Sequence, residues 1–153
     1  MKCSILCFLT LIIGCISAIE MKKYKGEEYF DENYHPIIRA IDDNNIKTLG
    51  TLINNNNINE KGKNNLTFIF YSFLNNKKEA FFYMLKNGAD VNIPFEETIG
   101  DSTYLINIAT KFDDDYYFEN LVGISNLNVK DERGLYPLHD AIMVNNEIGR
   151  AHV

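Results

Sequence analysis

Histidine, cysteine and clustered carboxylates are the residues with which a chain of this size could do acid–base, nucleophilic or metal chemistry, and all three are sparse here. There are three histidines, His35, His139 and His152, and the three cysteines, Cys3, Cys7 and Cys15, all fall at the N-terminus. With no thiol after residue 15, most nucleophile and transition-metal arrangements drop out before geometry is considered. Asp113-Asp114-Asp115 are successive, so on a helix they point in different directions, and no spaced ligand loop follows. They read as a solvated acidic turn, as do Asp42-Asp43. No glycine-rich phosphate-binding stretch occurs. The sequon Asn65-Leu66-Thr67 matters only in a eukaryotic secretory pathway. The expectation is no catalytic residue, no metal and no cofactor.

The elements that position these residues belong to one ordinary domain. Of 153 residues, 46% are hydrophobic and 24% charged, enough for a modest core without a second domain. Net charge is -6, with acids scattered among lysines, so no nucleic-acid partner is expected. Cysteines confined to the first 15 residues leave the body without a disulfide framework. Met1-Lys2 followed by the apolar run from Cys3 to Gly14 has the basic start and short hydrophobic stretch of a signal peptide, over 1–18. Two processing sites fit. Ala18 supplies a small residue before Ile19, whereas Ile12-Ile13-Gly14-Cys15 resembles a bacterial lipobox in which Cys15 carries a lipid and attaches the chain to a membrane. Either places the product in the periplasm or cell envelope of a bacterium.

Self-similarity organises the rest. Asp131-Glu132-Arg133-Gly134-Leu135-Tyr136-Pro137-Leu138-His139-Asp140-Ala141 resembles the ankyrin consensus D-x-x-G-x-T-P-L-H-x-A, departing at Tyr136. Leu85-Lys86-Asn87-Gly88-Ala89-Asp90-Val91-Asn92 resembles the end of such a unit, its glycine allowing a left-handed helix stop. Aligning the leucine of the P-L-H position gives Ile37, Ile69, Leu105 and Leu138, at steps of 32, 36 and 33 residues. An ankyrin unit is about 33 residues. The expected architecture is therefore an all-α ankyrin-repeat solenoid of helix-turn-helix units joined by hairpin-like loops, preceded by the signal helix. The units run over about 34–66, 67–102, 103–135 and a truncated 136–147.

Second helices are expected around Leu49-Ile53, Phe81-Leu85 and Tyr117-Leu121, each open on one face until the next unit stacks. Ala40, Ser72 and Ala141 are the small inner-helix residues that allow close stacking; Ile108 takes that place in the third unit, with Ala109 beside it, so packing there should be looser or shifted. Residues 93–101 form an inserted loop. Asn54-Asn55-Asn56-Asn57 stands where the first unit's turn glycine would lie and is expected to supply the left-handed backbone instead. Residues 19–33 form a cap through Tyr29 and Phe30, or a tether over the stretch to Gly26. Ile148 to Val153 matches what a common sequencing adaptor encodes in one frame, so 148–153 are read as non-native and the fourth unit as lacking its second helix. His139 and His35, at the P-L-H histidine and the corresponding threonine position, are read as structural.

What remains for function is surface. The exposed inner-helix places include Arg39, Asp43, Tyr71, Asn75, Asn107, Lys111 and Asp140, with Tyr71 and Arg39 as anchors of the residue types that dominate binding hot spots. Phe95, on the inserted loop, is either a further contact or folded back on its own stack.

Glu28-Tyr29-Phe30-Asp31, Gly62-Lys63-Asn64-Asn65-Leu66-Thr67, Lys78-Glu79-Ala80, Asn87-Gly88-Ala89-Asp90 and Gly100-Asp101-Ser102 together resemble a group of exported bacterial ankyrin proteins. Some of that group are encoded beside type VI secretion lipase effectors and are thought to be their immunity proteins. Phe68 and Phe70 depart from it, standing where proline and a histidine or aromatic are usual. The resemblance implies a monomer that binds and neutralises a phospholipase-like effector. The alternative is an envelope scaffold supporting another periplasmic enzyme.

Overall fold

Pro36 in the first turn of a helix leaves no donor unsatisfied, and the apolar spacing Ile37, Ile38, Ala40, Ile41 that follows gives that helix one buried face. It is the first of a series of paired helices in the computed structural model, which describes residues 24–98, 101–111, 115–131 and 133–143. The signal segment with Cys15, Asp113-Asp114 and the 148–153 tail lie outside the described residues.

In chain order the elements are α1 (Gly26–Tyr29), a 3-10 turn (Glu32–Tyr34), α2 (His35–Asp42), α3 (Ile46–Leu52), a second 3-10 turn (Lys63–Asn65), α4 (Phe68–Leu74), α5 (Lys78–Lys86), strands β1 (Phe95–Thr98) and β2 (Asp101–Thr103), α6 (Leu105–Ala109) and α7 (Asp115–Leu121). A last helix, α8, covers residues 137–143. The protein is mostly helical. Pairs α2/α3, α4/α5 and α6/α7 pack within themselves, and α2 meets α4 as α3 meets α5.

The turns inside the first two pairs are alike. Asn44 (φ 53°) and Asn76 (φ 52°) take the left-handed conformation that ends α2 and α4. The following amides, Asn45 N–H and Lys77 N–H, reach back to the carbonyls of Ala40 and Ser72, which satisfies the helix end. Gly88 (φ 89°) closes α5 in the same way. At the starts, Asn45 and Thr67 side chains accept the amides of Thr48 and Phe70. The Asn54 to Asn57 run does not take the left-handed backbone expected of it. The chain leaves α3 extended at Ile53 (φ -90°, ψ 137°), and the run is fastened by side chains instead. Asn57 Oδ1 accepts Asn54 N–H at 2.8 Å while Asn57 Nδ2 donates to the Leu52 carbonyl at 2.9 Å.

The inserted stretch is a two-stranded antiparallel hairpin pairing Phe95 with Thr103, Glu96 with Ser102 and Thr98 with Asp101, with a bulge between Glu96 and Thr98. Between units, side-chain amides tie successive loops. Asn59 Oδ1 accepts Asp90 N–H and Asn92 Oδ1 accepts Asn126 N–H, both at 2.7 Å.

A single apolar core runs from Phe30 to Val129. α4 is its centre, buried from Phe68 through Phe73. Phe30 stacks on Phe68 at 4.8 Å, and Tyr117 meets Phe73 and Phe81 edge-on at 4.6 and 4.9 Å. Ala40 and Ser72 are buried at the stacking places. In the third pair the buried small residue is Ala109, one position later, and Ile108 is half-buried. The alignment position is buried at Ile37, Ile69 and Leu105, but Leu138 is 69% exposed. On α8, Ile142 and Met143 are exposed as well.

Candidate functional site

The first helices of the pairs carry the expected contact surface, and its middle is closed. Tyr71, expected as the exposed anchor, has no accessible surface. Its hydroxyl donates to Asp42 Oδ1 at 2.8 Å and accepts Gly26 N–H at 3.2 Å. Burial first, and then the Asp42 carboxylate beside it, pushes the phenol well above its ordinary titration range. Asn75 is half-buried and clasped to the chain start: its Oδ1 accepts Tyr24 N–H at 3.1 Å and its Nδ2 donates to the Tyr24 carbonyl at 3.2 Å. Residues 24–26 thus lie over the second pair, where a partner was expected. Lys77 Nζ also donates to the Asp42 carbonyl.

Phe95 is buried rather than presented, of the two placements the one folded back on the stack. Its ring lies 5.4 Å from Phe70 and 5.9 Å from Tyr24. Glu96 accepts a hydrogen bond from Asn65 Nδ2 at 2.9 Å, which fixes the hairpin to the second 3-10 turn. The amide of the Asn65 sequon is therefore engaged, as is Thr67 Oγ1 as helix cap.

Asn107 and Asp140 are also buried, contrary to their expected exposure. Neither polar atom of the Asn107 side chain has a hydrogen-bond partner. Asp140 belongs to an ionic cluster. Arg133 bridges two carboxylates, Asp131 at 2.7 Å and Asp140, while Lys111 Nζ lies 3.4 Å from Asp140 Oδ2 and 3.7 Å from Asp131 Oδ2. The Lys111 contact to Asp140 falls outside hydrogen-bond geometry and acts by charge alone. Burial works to raise the Asp131 carboxyl, but the Leu135 amide and the Arg133 side chain and amide outweigh it and hold the group below its ordinary value. The same bond to Asp131 raises Arg133 against its burial.

Three expected contact residues stay open: Arg39, Asp43 and Lys111. Arg133, 44% exposed, joins Lys111, 36% exposed, as a second cation at that end. Sequence reasoning passed over Arg133 because its place in the D-x-x-G turn carries no side-chain requirement; its i+2 spacing from Asp131 was the available signal. Asp42 was taken as a solvated carboxylate, although Tyr71 one unit later supplied its partner.

Among the described residues no three His, Cys, Asp or Glu side chains come together as metal ligands, and no helix is long and apolar enough to cross a membrane. No protein-family model matches the chain, and no curated protein does either.

Proposed function

We propose that the chain is an exported ankyrin-repeat solenoid whose function is to bind another protein, and that its partner is a phospholipase-like antibacterial effector that it neutralises. The observation that carries the binding reading is the recurrence of the helix pair: three successive pairs bury the equivalent residues Ile37, Ile69 and Leu105 and leave loop tips and first-helix ends to present charge. Stacked pairs of this kind make an extended rigid surface suited to a protein partner. The effector as partner rests on the resemblance to exported ankyrin proteins, and export rests on residues 1–18.

The contact surface has two charged stations. Arg39 and Asp43 stand at the end of α2, and Lys111 with Arg133 stand beyond α6. Between them the chain's own residues 24–26 and the β1–β2 hairpin cover the ground that Tyr71 and Phe95 were expected to present. Partner engagement through Arg39, Lys111 and Arg133 would show as salt-sensitive association.

Co-expression with a phospholipase-like effector encoded beside its gene tests the proposal, and a neighbourhood without one counts against it. Restored growth and a co-purifying complex are expected, and charge reversal at Arg39 and Lys111 should weaken that complex about tenfold or more. Neither rescue nor complex would sink it. A complex with a non-toxic envelope enzyme would point to the scaffold reading instead.

A further inference from the structure

The four-asparagine run leaves two of its members free of the task that holds the loop. Asn54 and Asn57 fasten the turn: Asn57 takes Asn54 N–H and donates to the Leu52 carbonyl, and Asn54 Oδ1 accepts Asn56 N–H at 2.9 Å. The side chains of Asn55 and Asn56 make no hydrogen bond among the described residues, and both are exposed. They line a cleft of about 520 Å³ between the second helices of the first two pairs, together with Gly50, Ile53, Tyr83 and Asn87. Asn87 donates its Nδ2 to the Tyr83 carbonyl at 2.7 Å, which orients its amide and leaves Oδ1 unused.

Gly50 and Tyr83 form the facing side of the cleft. Gly50 sits inside α3, where glycine is an unfavourable helix residue. A Cβ at that position would stand 2.8 Å from the Tyr83 hydroxyl oxygen, so the phenol lies closely against α3 at this point and would shift slightly to admit a larger residue. Tyr83 is half-buried, and its hydroxyl has no hydrogen-bond partner among the described residues. Ile53 and Ile58, both buried, form an apolar floor.

We propose that this cleft is a binding site for a neutral saccharide. Every polar side chain lining it is a carboxamide or the phenol, and none is charged. A carboxamide presents a donor and an acceptor in one plane, which matches adjacent sugar hydroxyls that each donate and accept. The Tyr83 ring and the isoleucine floor supply an apolar wall for the C–H face of a pyranose. The volume is within the range of small-ligand clefts, about 300–1,000 Å³, and holds a di- or trisaccharide. An ionic ligand would lose hydration without meeting a counter-charge. This site is separate from the charged stations of the proposed protein surface, so its failure leaves that reading standing.

Titration of the ¹⁵N-labelled full chain with maltotriose and with N,N′-diacetylchitobiose tests the assignment. Saturable shifts of the Asn55 and Asn56 side-chain NH₂ signals and of the Gly50 amide are expected with at least one sugar, with a dissociation constant of about 1 mM. Asn56→Ala should weaken binding about tenfold, the loss of one good hydrogen bond. Gly50→Ala should weaken it by shifting the Tyr83 hydroxyl, while leaving the protein folded, because alanine favours the helix. Absence of shifts with both sugars at about 20 mM, binding undiminished in Gly50→Ala, or shifts raised only by a neutral Gly-Ser-Gly-Ser-Gly peptide would each overturn it.

Discussion

Ile69 and Leu138 occupy equivalent places in their helices, yet Ile69 has no accessible surface and Leu138 is 69% exposed. The difference lies in what stacks on each. The second pair sits between the first and third and is sealed by aromatic contacts, with Phe30 and Tyr34 against Phe68 and Tyr117 against Phe73. At the other end, Asp140 of α8 is paired with Arg133 and Lys111, and every large exposed hydrophobic among the described residues lies between Val122 and Met143. A repeated sequence position therefore carries no fixed burial, since its worth depends on the neighbour that covers it.

That contrast can be broken most sharply at Phe68. Phe68→Ala removes a fully buried ring and should lower unfolding free energy by about 3–5 kcal/mol in a urea titration. An effect below that of an exposed substitution would show that the aromatic end does not hold the fold.

Tyr71→Phe should cost about 1–2 kcal/mol, because the ring remains while the bonds to Asp42 and Gly26 are lost. It also carries a pH signature. The folded phenol titrates above the unfolded one, so its stabilisation is present below about pH 10 and is lost as pH rises past that value. The variant should show a flatter alkaline limb in thermal melts.

At the ionic end, Asp131→Asn should cost about 1 kcal/mol, since the amide can still accept from the backbone while the charge is gone. The folded Asp131 carboxyl lies below its unfolded value. Its contribution is therefore present above about pH 4 and is lost as pH falls below that, so the variant should lose less stability than the parent between neutral pH and pH 3. Equal acid profiles would show the cluster to be energetically idle.

The smallest effect is expected at Leu138→Ser, within about 0.5 kcal/mol of the parent by the same titration. A large loss would mean that α8 is covered in solution.

Much of the helical order was legible because it is local. Gly88 closing a helix and the recurring apolar positions act within a few residues of themselves. The Asn54 to Asn57 run was misjudged for a related reason: its amides satisfied the loop by hydrogen bonding side chain to backbone, which removed the need for left-handed backbone. Asn44 and Asn76, which do take it, were hidden among ordinary polar residues.

The sequence by itself determined the spacing of the paired helices, through Ile37, Ile69, Leu105 and Leu138. Only the tertiary structure decided which side chains face water. Tyr71 is buried because Gly26, 45 residues away, lies across it, and Phe95 because its strand turns back onto Phe70 and Tyr24. Periodicity assigns a residue to a helix face, but burial requires a second segment to arrive at that face. Such arrivals are contacts between distant residues, which no local pattern encodes.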